Sequence, residues 1–345
     1  MTSKRWLLTA LSFAVTLGVS FYMIAGWSHD GVSLALPASA HLLALLAVVV
    51  EVLARSFKIR WSARAAGISL PFSTALRTSL GGDFGAAITP GRSGAEPARF
   101  FILSESGLSS AGALVIIYAE LFLEVFSLAA VVMTVALVFR HAGAVLYALV
   151  GVVGAYTATV LGIGALAVFL SRRNTHGPPP PWALRLRLHS GRWRTVQRAL
   201  RKLRATIDSV DHVNKGAAVS AFLASFTHVA IRLTVLPALV LTSVRTVKLA
   251  PLALWPLGFL YGAAVVPAPG GGGAVEMAFR GALGHAIPVR LFGAALLWWR
   301  FYTFYIYILL GGVVAGNTVL RAIRKAGDYE AEVEHGIATP EAAST

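Results

Sequence analysis

The sequence predicts an all-α polytopic membrane protein of about six transmembrane helices and two opposed re-entrant helical hairpins, arranged as an inverted repeat. Three observations carry that expectation. The 345 residues are 57% hydrophobic and 13% charged, and the mean hydropathy is +0.71, far too apolar for a soluble domain of this length. Apolar segments of bilayer-spanning length alternate with basic loops. Two further apolar stretches are broken by Pro-Gly, a small-residue turn and a carboxylate: ITPGRSGAEPARFF at 88–101 and VVPAPGGGGAVEMAF at 265–279.

Residues 6–27 form the first span. Lys4 and Arg5 precede it, and no convincing small-residue cleavage site follows, so it reads as a retained span rather than a signal peptide. Residues 37–54 form the second, followed by Arg55, Lys58, Arg60 and Arg64, which return the chain to the cytoplasm. Segment 68–107 is apolar but carries Arg77, Asp83, Arg92, Glu96 and Arg99, with Gly81-Gly82 and Pro90-Gly91 in its middle. It reads as two half-length helices joined at a tip, a backbone tolerated at membrane depth only where protein or a water-filled cavity covers it.

Spans 110–139 and 144–171 form an out-and-back pair that delivers the basic loop 172–214 to the cytoplasm. Within it, GPPPPW at 177–182 is a stiff spacer. The run GRWRTVQRALRKLRATI puts Trp193, Val196, Leu200, Leu203 and Ile207 on one helical face. That pattern suits an interfacial amphipathic helix on an anionic leaflet; a solvated positive-inside loop accounts for it equally well. Span 215–244 leads outward, 250–286 is the second broken segment, and 290–318 returns inside to Arg321, Arg324 and Lys325. Arg245 and Lys248 fall outside, against the charge rule. The acidic tail 321–345 is expected to be disordered. The membrane domain is therefore 1–320, with hairpins 68–107 and 250–286 dipping in from opposite faces, the signature of an inverted repeat with a midplane site.

Charges at membrane depth need partners or a purpose. The embedded acids are Asp83, Glu96, Glu120, Glu124 and Glu276; the embedded arginines include Arg77, Arg92, Arg99, Arg232 and Arg300. Such near-equal numbers suggest a paired interior network, which could also serve only to hold helices together. Glu96 and Glu276 recur beyond Pro90 and Pro269. Glu120 and Glu124 share a helix face, and two like charges in low dielectric require a proton or a bridging cation. Arg300 is a candidate bridge, because the repeat puts it in the span corresponding to that of Glu120. A half-helix beyond each Pro-Gly aims its N–H groups at mid-membrane; Arg92 and Arg99 add charge, and Gly270 and Gly271 admit close approach of a ligand. Two such tips converging would bind an anion such as a lipid phosphate. The candidate substrate-binding residues are therefore Arg92, Glu96, Arg99, Glu120, Glu124, Gly270, Gly271, Glu276 and Arg300.

The chain has no cysteine, which excludes disulfide and thiolate chemistry. The histidines show no metal-ligand spacing, and no His-Glu-x-x-His, Walker A or Gly-x-Ser-x-Gly motif occurs. No metal, cofactor or catalytic residue is expected. The formal charge of +15 is distributed as loop charge and does not read as a nucleic-acid surface.

The pieces PGRSGAEPAR and PAPGGGGAVE, the carboxylate-bearing span at 118–126, and WWRFYTF at 298–304 resemble the lysylphosphatidylglycerol synthase transmembrane, or flippase-like, family. The resemblance covers most of residues 6–320. It implies a multi-pass protein of the inner (cytoplasmic) membrane, both termini cytoplasmic, that translocates an anionic, aminoacylated, polyprenyl-linked or hopanoid-related lipid. The partners implied are membrane lipids and anionic headgroups, and a homo-oligomer is compatible with the sequence. Family members commonly carry Glu-Arg followed by Asp in the span after the first hairpin; here Leu121 and Glu124 stand at the latter two places. The chain ends soon after its last span, so the aminoacyltransferase domain of the full synthases, and lysyl-lipid synthesis with it, is not expected. The runner-up readings are an intramembrane enzyme acting on a lipid phosphate with a Glu as base, and an accessory subunit of an envelope-lipid pathway.

Overall fold

The computed structural model describes residues 14–15, 18–23, 25–26, 34–89, 92–141, 143–172, 178, 180–181, 184, 190–208, 213–262, 266, 268–318 and 321. Among these there are helices and turns but no strands. In chain order the helices are α1 (Ala38–Ala65), α2 (Phe72–Ile88), α3 (Ala95–Glu105), α4 (Ser110–Val138), α5 (Ala144–Arg172), α6 (Ser190–Asp208), α7 (Lys215–Arg232), α8 (Val235–Leu241), α9 (Leu249–Gly262), α10 (Ala274–Leu283) and α11 (Val289–Arg300). A π-helical turn, Phe301–Tyr305, continues α11 into a helix that reaches Thr318.

Local signals set several starts. The Ser109 hydroxyl accepts from the Gly112 N–H at 3.2 Å at the head of α4, and the Asn214 side chain accepts from the Ala217 N–H at 3.0 Å at the head of α7, each satisfying an N–H that a helix start leaves orphaned. Four helical stretches are long and apolar enough to cross a membrane: Ser110–Val138, Leu146–Arg172, Lys215–Leu241 and Val289–Thr318. The sequence reading of six differs in two places. Most of 6–27 lies outside the described residues, although Phe21 within it stacks on Tyr305 with ring centres 6.2 Å apart. The second span does not end at 54. Its helix runs to Ala65, because nothing breaks it before Gly67, and it carries Glu51, Arg55 and Lys58 buried among its neighbours. Arg55 and Lys58 are therefore interior residues and not loop cations.

Contacts between ends fix the topology. The Asn214 N–H donates to the Ala65 carbonyl at 3.0 Å, so α7 starts where α1 stops. Glu105, at the end of α3, pairs with Arg77 near the start of α2 at 3.2 Å and with Arg321 at 2.8 Å. The first hairpin, α2–α3, therefore begins and ends at the end of the protein where the α11 helix finishes. The second, α9–α10, begins and ends at the opposite end, beyond α8. Their tips meet inside: the turn Pro269–Gly271 packs on α2. At 1.5 Å per residue α2 is ~26 Å long and α9 ~21 Å, so neither crosses a full bilayer.

The repeat shows in the bounds. Shifted by the 179 residues that separate Pro90 from Pro269, the first residues of α3 and α4, Ala95 and Ser110, fall on Ala274 and Val289, the first residues of α10 and α11; α1 falls on 217–244, against 215–241 for α7 and α8. Hairpin one closes through glycine: a Cβ on Gly85 would stand 2.5 Å from the Gly94 carbonyl oxygen. Hairpin two closes through aromatic rings, Phe259 of α9 lying 5.5 Å from Phe279 of α10, and both pack on Trp299. Because the chain lacks cysteine, single replacements can report this layout. Ser106→Cys and Lys248→Cys, both exposed, are expected to react with an impermeant maleimide from opposite sides of a sealed vesicle; reaction of both from one side would refute the layout.

Candidate functional site

The site is built on α1. Glu51, Arg55 and Lys58 are spaced to share one face of that helix, and each reaches a different helix. Arg55 pairs with Asp83 of α2 and with Glu51 at 3.4 Å. Glu51 also pairs with Arg232 of α7 at 3.6 Å and accepts a hydrogen bond from the Tyr307 hydroxyl. The guanidinium carbons of Arg55 and Arg232 each lie 5.4 Å from the centre of the Tyr307 ring, a cation–π arrangement that suits a dry site. Arg232 is held further by the Thr303 carbonyl, 2.7 Å away. The π-helical turn at 301–305 places that carbonyl within reach, and such turns recur at functional sites.

Lys58 is fully buried and bridges Glu120 at 3.1 Å and Glu124 at 3.2 Å. The cation between these two acids is therefore Lys58 and not Arg300. Glu120 is also met by Arg99 at 3.5 Å, and Arg99 meets Glu96 at 3.3 Å, so a charge ladder runs from α1 through α4 to hairpin one. Arg300 serves the other tip. It pairs with Glu276 at 2.8 Å and donates two hydrogen bonds of 3.2 Å to the Gly270 carbonyl. Glu276 in turn accepts from the Gly273 N–H at 2.7 Å, a carboxylate capping the start of α10. Gly270 has φ 60°, and a Cβ there would stand 2.1 Å from Phe304. Glycine is thus required at this position by the ring packed on it.

Two cavities flank the meeting of the tips. The inner one, about 50 Å³, is lined by Asp83 and Arg92 from hairpin one, Gly270 from hairpin two, and Arg232, Arg300 and Tyr307. The second, about 190 Å³, is lined by Arg92, Glu96, Arg99, Glu124, Tyr156, Arg232 and Tyr261. Arg92, Arg232 and Leu260 line both and form the partition. Arg92 is half-buried, and its backbone is left-handed with φ 59°, a conformation that costs a non-glycine residue about 1–2 kcal/mol. No ion pair or hydrogen bond joins it to any described residue, whereas every other charge of the network has an opposite partner.

Of the residues expected from the sequence, Arg92, Glu96, Arg99 and Glu124 line the larger cavity, and Arg92, Gly270 and Arg300 the smaller. Glu120 (1% exposed) and Glu276 (0% exposed) are buried behind their cations and do not line either cavity; they position Lys58, Arg99 and Arg300. Gly271, φ 67°, shapes the second tip. Arg77 is not embedded but pairs at the surface with Glu105. Missed by sequence reasoning were the roles of Glu51, Lys58 and Arg55, and of Tyr307. Their signal was the Glu51–Arg55 spacing of four in a segment without a helix breaker. No group of three or more His, Asp or Glu that could hold a metal occurs among the described residues.

A model of the family described as lysylphosphatidylglycerol synthase TM region matches residues 9–311. No curated protein matches the chain.

Proposed function

We propose a lipid-translocating function for this chain, which belongs to the lysylphosphatidylglycerol synthase TM region family and is a multi-pass membrane protein. It moves a phosphate-bearing lipid headgroup between leaflets through the cavities at the hairpin tips, while the acyl chains stay in the bilayer. The observation that carries this reading is Arg92: a strained cation with no ion pair or hydrogen bond among the described residues, held at the meeting point of the two hairpins. A network built only to join helices would pair it, because interhelical polar contacts return only ~0.6 kcal/mol on average and an unpaired charge at that depth is a net cost. A phosphate would complete it with charge-assisted hydrogen bonds, aided by the forked donors of Arg232 and Arg300.

The larger cavity favours a headgroup that also carries an amine. Glu124 is 31% exposed in its side chain and Glu96 53%, so both present carboxylate oxygens beside Arg92. An aminoacylated phospholipid has a phosphate and an ammonium to fill both places. The inner cavity of about 50 Å³ holds one or two waters at ~30 Å³ each, so the headgroup enters only when the tips part. Two hairpins based at opposite ends give each leaflet its own gate. The membrane concerned is, on this reading, the inner membrane, with both termini in the cytoplasm.

Proteoliposomes test the proposal. Fluorescent phosphatidylglycerol and its lysyl ester, placed in one leaflet, are expected to become accessible from the other faster than in protein-free vesicles, with the lipid chemically unchanged. Consumption of either lipid in detergent would replace transport by an enzyme. Unchanged lipid distribution with both substrates would overturn the proposal and favour an accessory subunit.

A further inference from the structure

Helix α6 carries a row of cations that the membrane site does not use. Trp193 and Leu200 are buried, and the helix packs on α4 and α5. At these two positions the apolar face is covered by protein and not turned to a bilayer as in an interfacial helix. Arg194, Arg198 and Arg201 follow one another at spacings of four and three, with Arg204 beside them, and all four are exposed. At 100° per residue Arg194, Arg198 and Arg201 lie on a face turned about 120° from Trp193 and Leu200, whereas Arg204 stands at the edge of the Trp193 face. Arg204 meets Asp208 at 3.5 Å; Arg194, Arg198 and Arg201 have no ion-pair partner among the described residues.

The sequence holds one segment of matching charge. Of its fifteen acidic residues, six sit in the interior network, and Glu105 and Asp208 are paired at the surface. Asp328, Glu330, Glu332 and Glu334 stand within seven positions, DYEAEVE, and no other stretch is as acidic. Their alternation suits an extended chain. A helix would instead bring Asp328 against Glu332 and Glu330 against Glu334 at i and i+4, like charges that destabilise it. Extended, the four carboxylates would span about 20 Å, and the row from Arg194 to Arg201 spans about 10 Å, with room for a carboxylate beyond each end. Both belong to the same end of the protein: the short link from α6 leads to α7, which starts beside Ala65, and Arg321 pairs with Glu105 at the base of hairpin one. The ten residues from Arg321 to Ala331 reach ~33 Å.

We propose that residues 328–334 dock in extended form along the arginine row of α6. Docking ties the end of the α11 helix, and through Glu105 the base of hairpin one, to the α4–α5 pair. It places an electrostatic strap at the end where hairpin one opens. Anionic membrane lipid is the rival occupant, disfavoured because Trp193 and Leu200 are buried against protein and not free to seat on a bilayer.

Cysteine pairs that keep every charge test this. Ala205 is exposed and falls on the arginine face. Ala205→Cys with Ala331→Cys is compared with Ser106→Cys and Ala331→Cys, since Ser106 adjoins Glu105, the anchor of Arg321. In neutral phosphatidylcholine vesicles the first pair is expected to cross-link roughly tenfold more than the second, through the raised effective concentration of a docked segment. The excess should vanish at about 1 M salt, and when Asp328, Glu330, Glu332 and Glu334 are changed to Asn or Gln. Equal yields, or an excess insensitive to salt, would overturn docking. Loss of the excess when phosphatidylglycerol is added would assign the row to anionic lipid instead.

Discussion

Replacing Arg92 by glycine is expected to slow lipid movement roughly 10- to 100-fold and at the same time to make the protein more stable. The two effects arise from different parts of the residue. The backbone of Arg92 has φ 59°, and glycine adopts this conformation without the penalty of about 1–2 kcal/mol that a Cβ incurs. The side chain forms no ion pair or hydrogen bond with any described residue, so its removal sacrifices no contact of that kind and relieves its repulsion with Arg232 across the partition. The functional loss follows from the lipid. A charge-assisted hydrogen bond is worth ~1.5–3 kcal/mol, which is roughly a 10- to 100-fold reduction in transport. Arg92→Gln separates the terms: it keeps the strained backbone and removes the charge, so transport falls without a gain in stability. Thermal unfolding in detergent and movement of fluorescent lipid in vesicles would be measured on both variants. Normal transport by Arg92→Gln would remove Arg92 from the site; a large loss of stability in Arg92→Gly would mean that the cation is structural.

What the sequence made legible was whatever is local. Pro90-Gly91 and the Pro267–Gly273 stretch break helices by their own backbone chemistry, so both hairpins and their repeat offset could be read from composition and spacing. Arg92, Glu96 and Arg99 could be placed near the first tip because their distance along the chain from Pro90 is short. What could not be read was pairing. Arg55 reaches Asp83 across 28 residues and Lys58 reaches Glu124 across 66; no spacing rule links positions so distant. The positive-inside rule then worked against the answer. Four cations in ten residues after an apolar run read as a loop, although the helix persists and turns Arg55 and Lys58 inward. Repeat symmetry misled in the same way: it aligned Arg300 with the Glu120 span, but Arg300 serves Glu276 at the second tip, and Glu120 and Glu124 of α4 take Lys58 of α1.

Replacing Lys58 by methionine is expected to lower stability by ~3–5 kcal/mol, the usual consequence of removing one partner from a buried ion pair. Methionine matches the unbranched stem in length, so packing is nearly kept and the loss reports charge. Glu120 and Glu124 would then lie one turn apart with Arg99 as the remaining cation, and Arg99 already serves Glu96. The two acids differ in how they bear this. Glu124 is 31% exposed and turns toward a cavity, where water can hydrate it, whereas Glu120 is 1% exposed. Glu120→Gln in the Lys58→Met background should therefore restore more stability than Glu124→Gln does, and a double-mutant cycle over the three positions would measure the difference. The same cycle bears on transport. If Lys58 acts only by holding Glu124 in place, the stabilised double variant Lys58→Met/Glu120→Gln regains the fold and still moves an aminoacylated lipid, since Glu124 remains to receive the ammonium. A variant that folds but moves phosphatidylglycerol alone would place Lys58 in the recognition of the amine. Loss of less than about 1 kcal/mol in Lys58→Met, the range of an exposed ion pair, would show that water reaches the bridge and that the ladder is not a dry one.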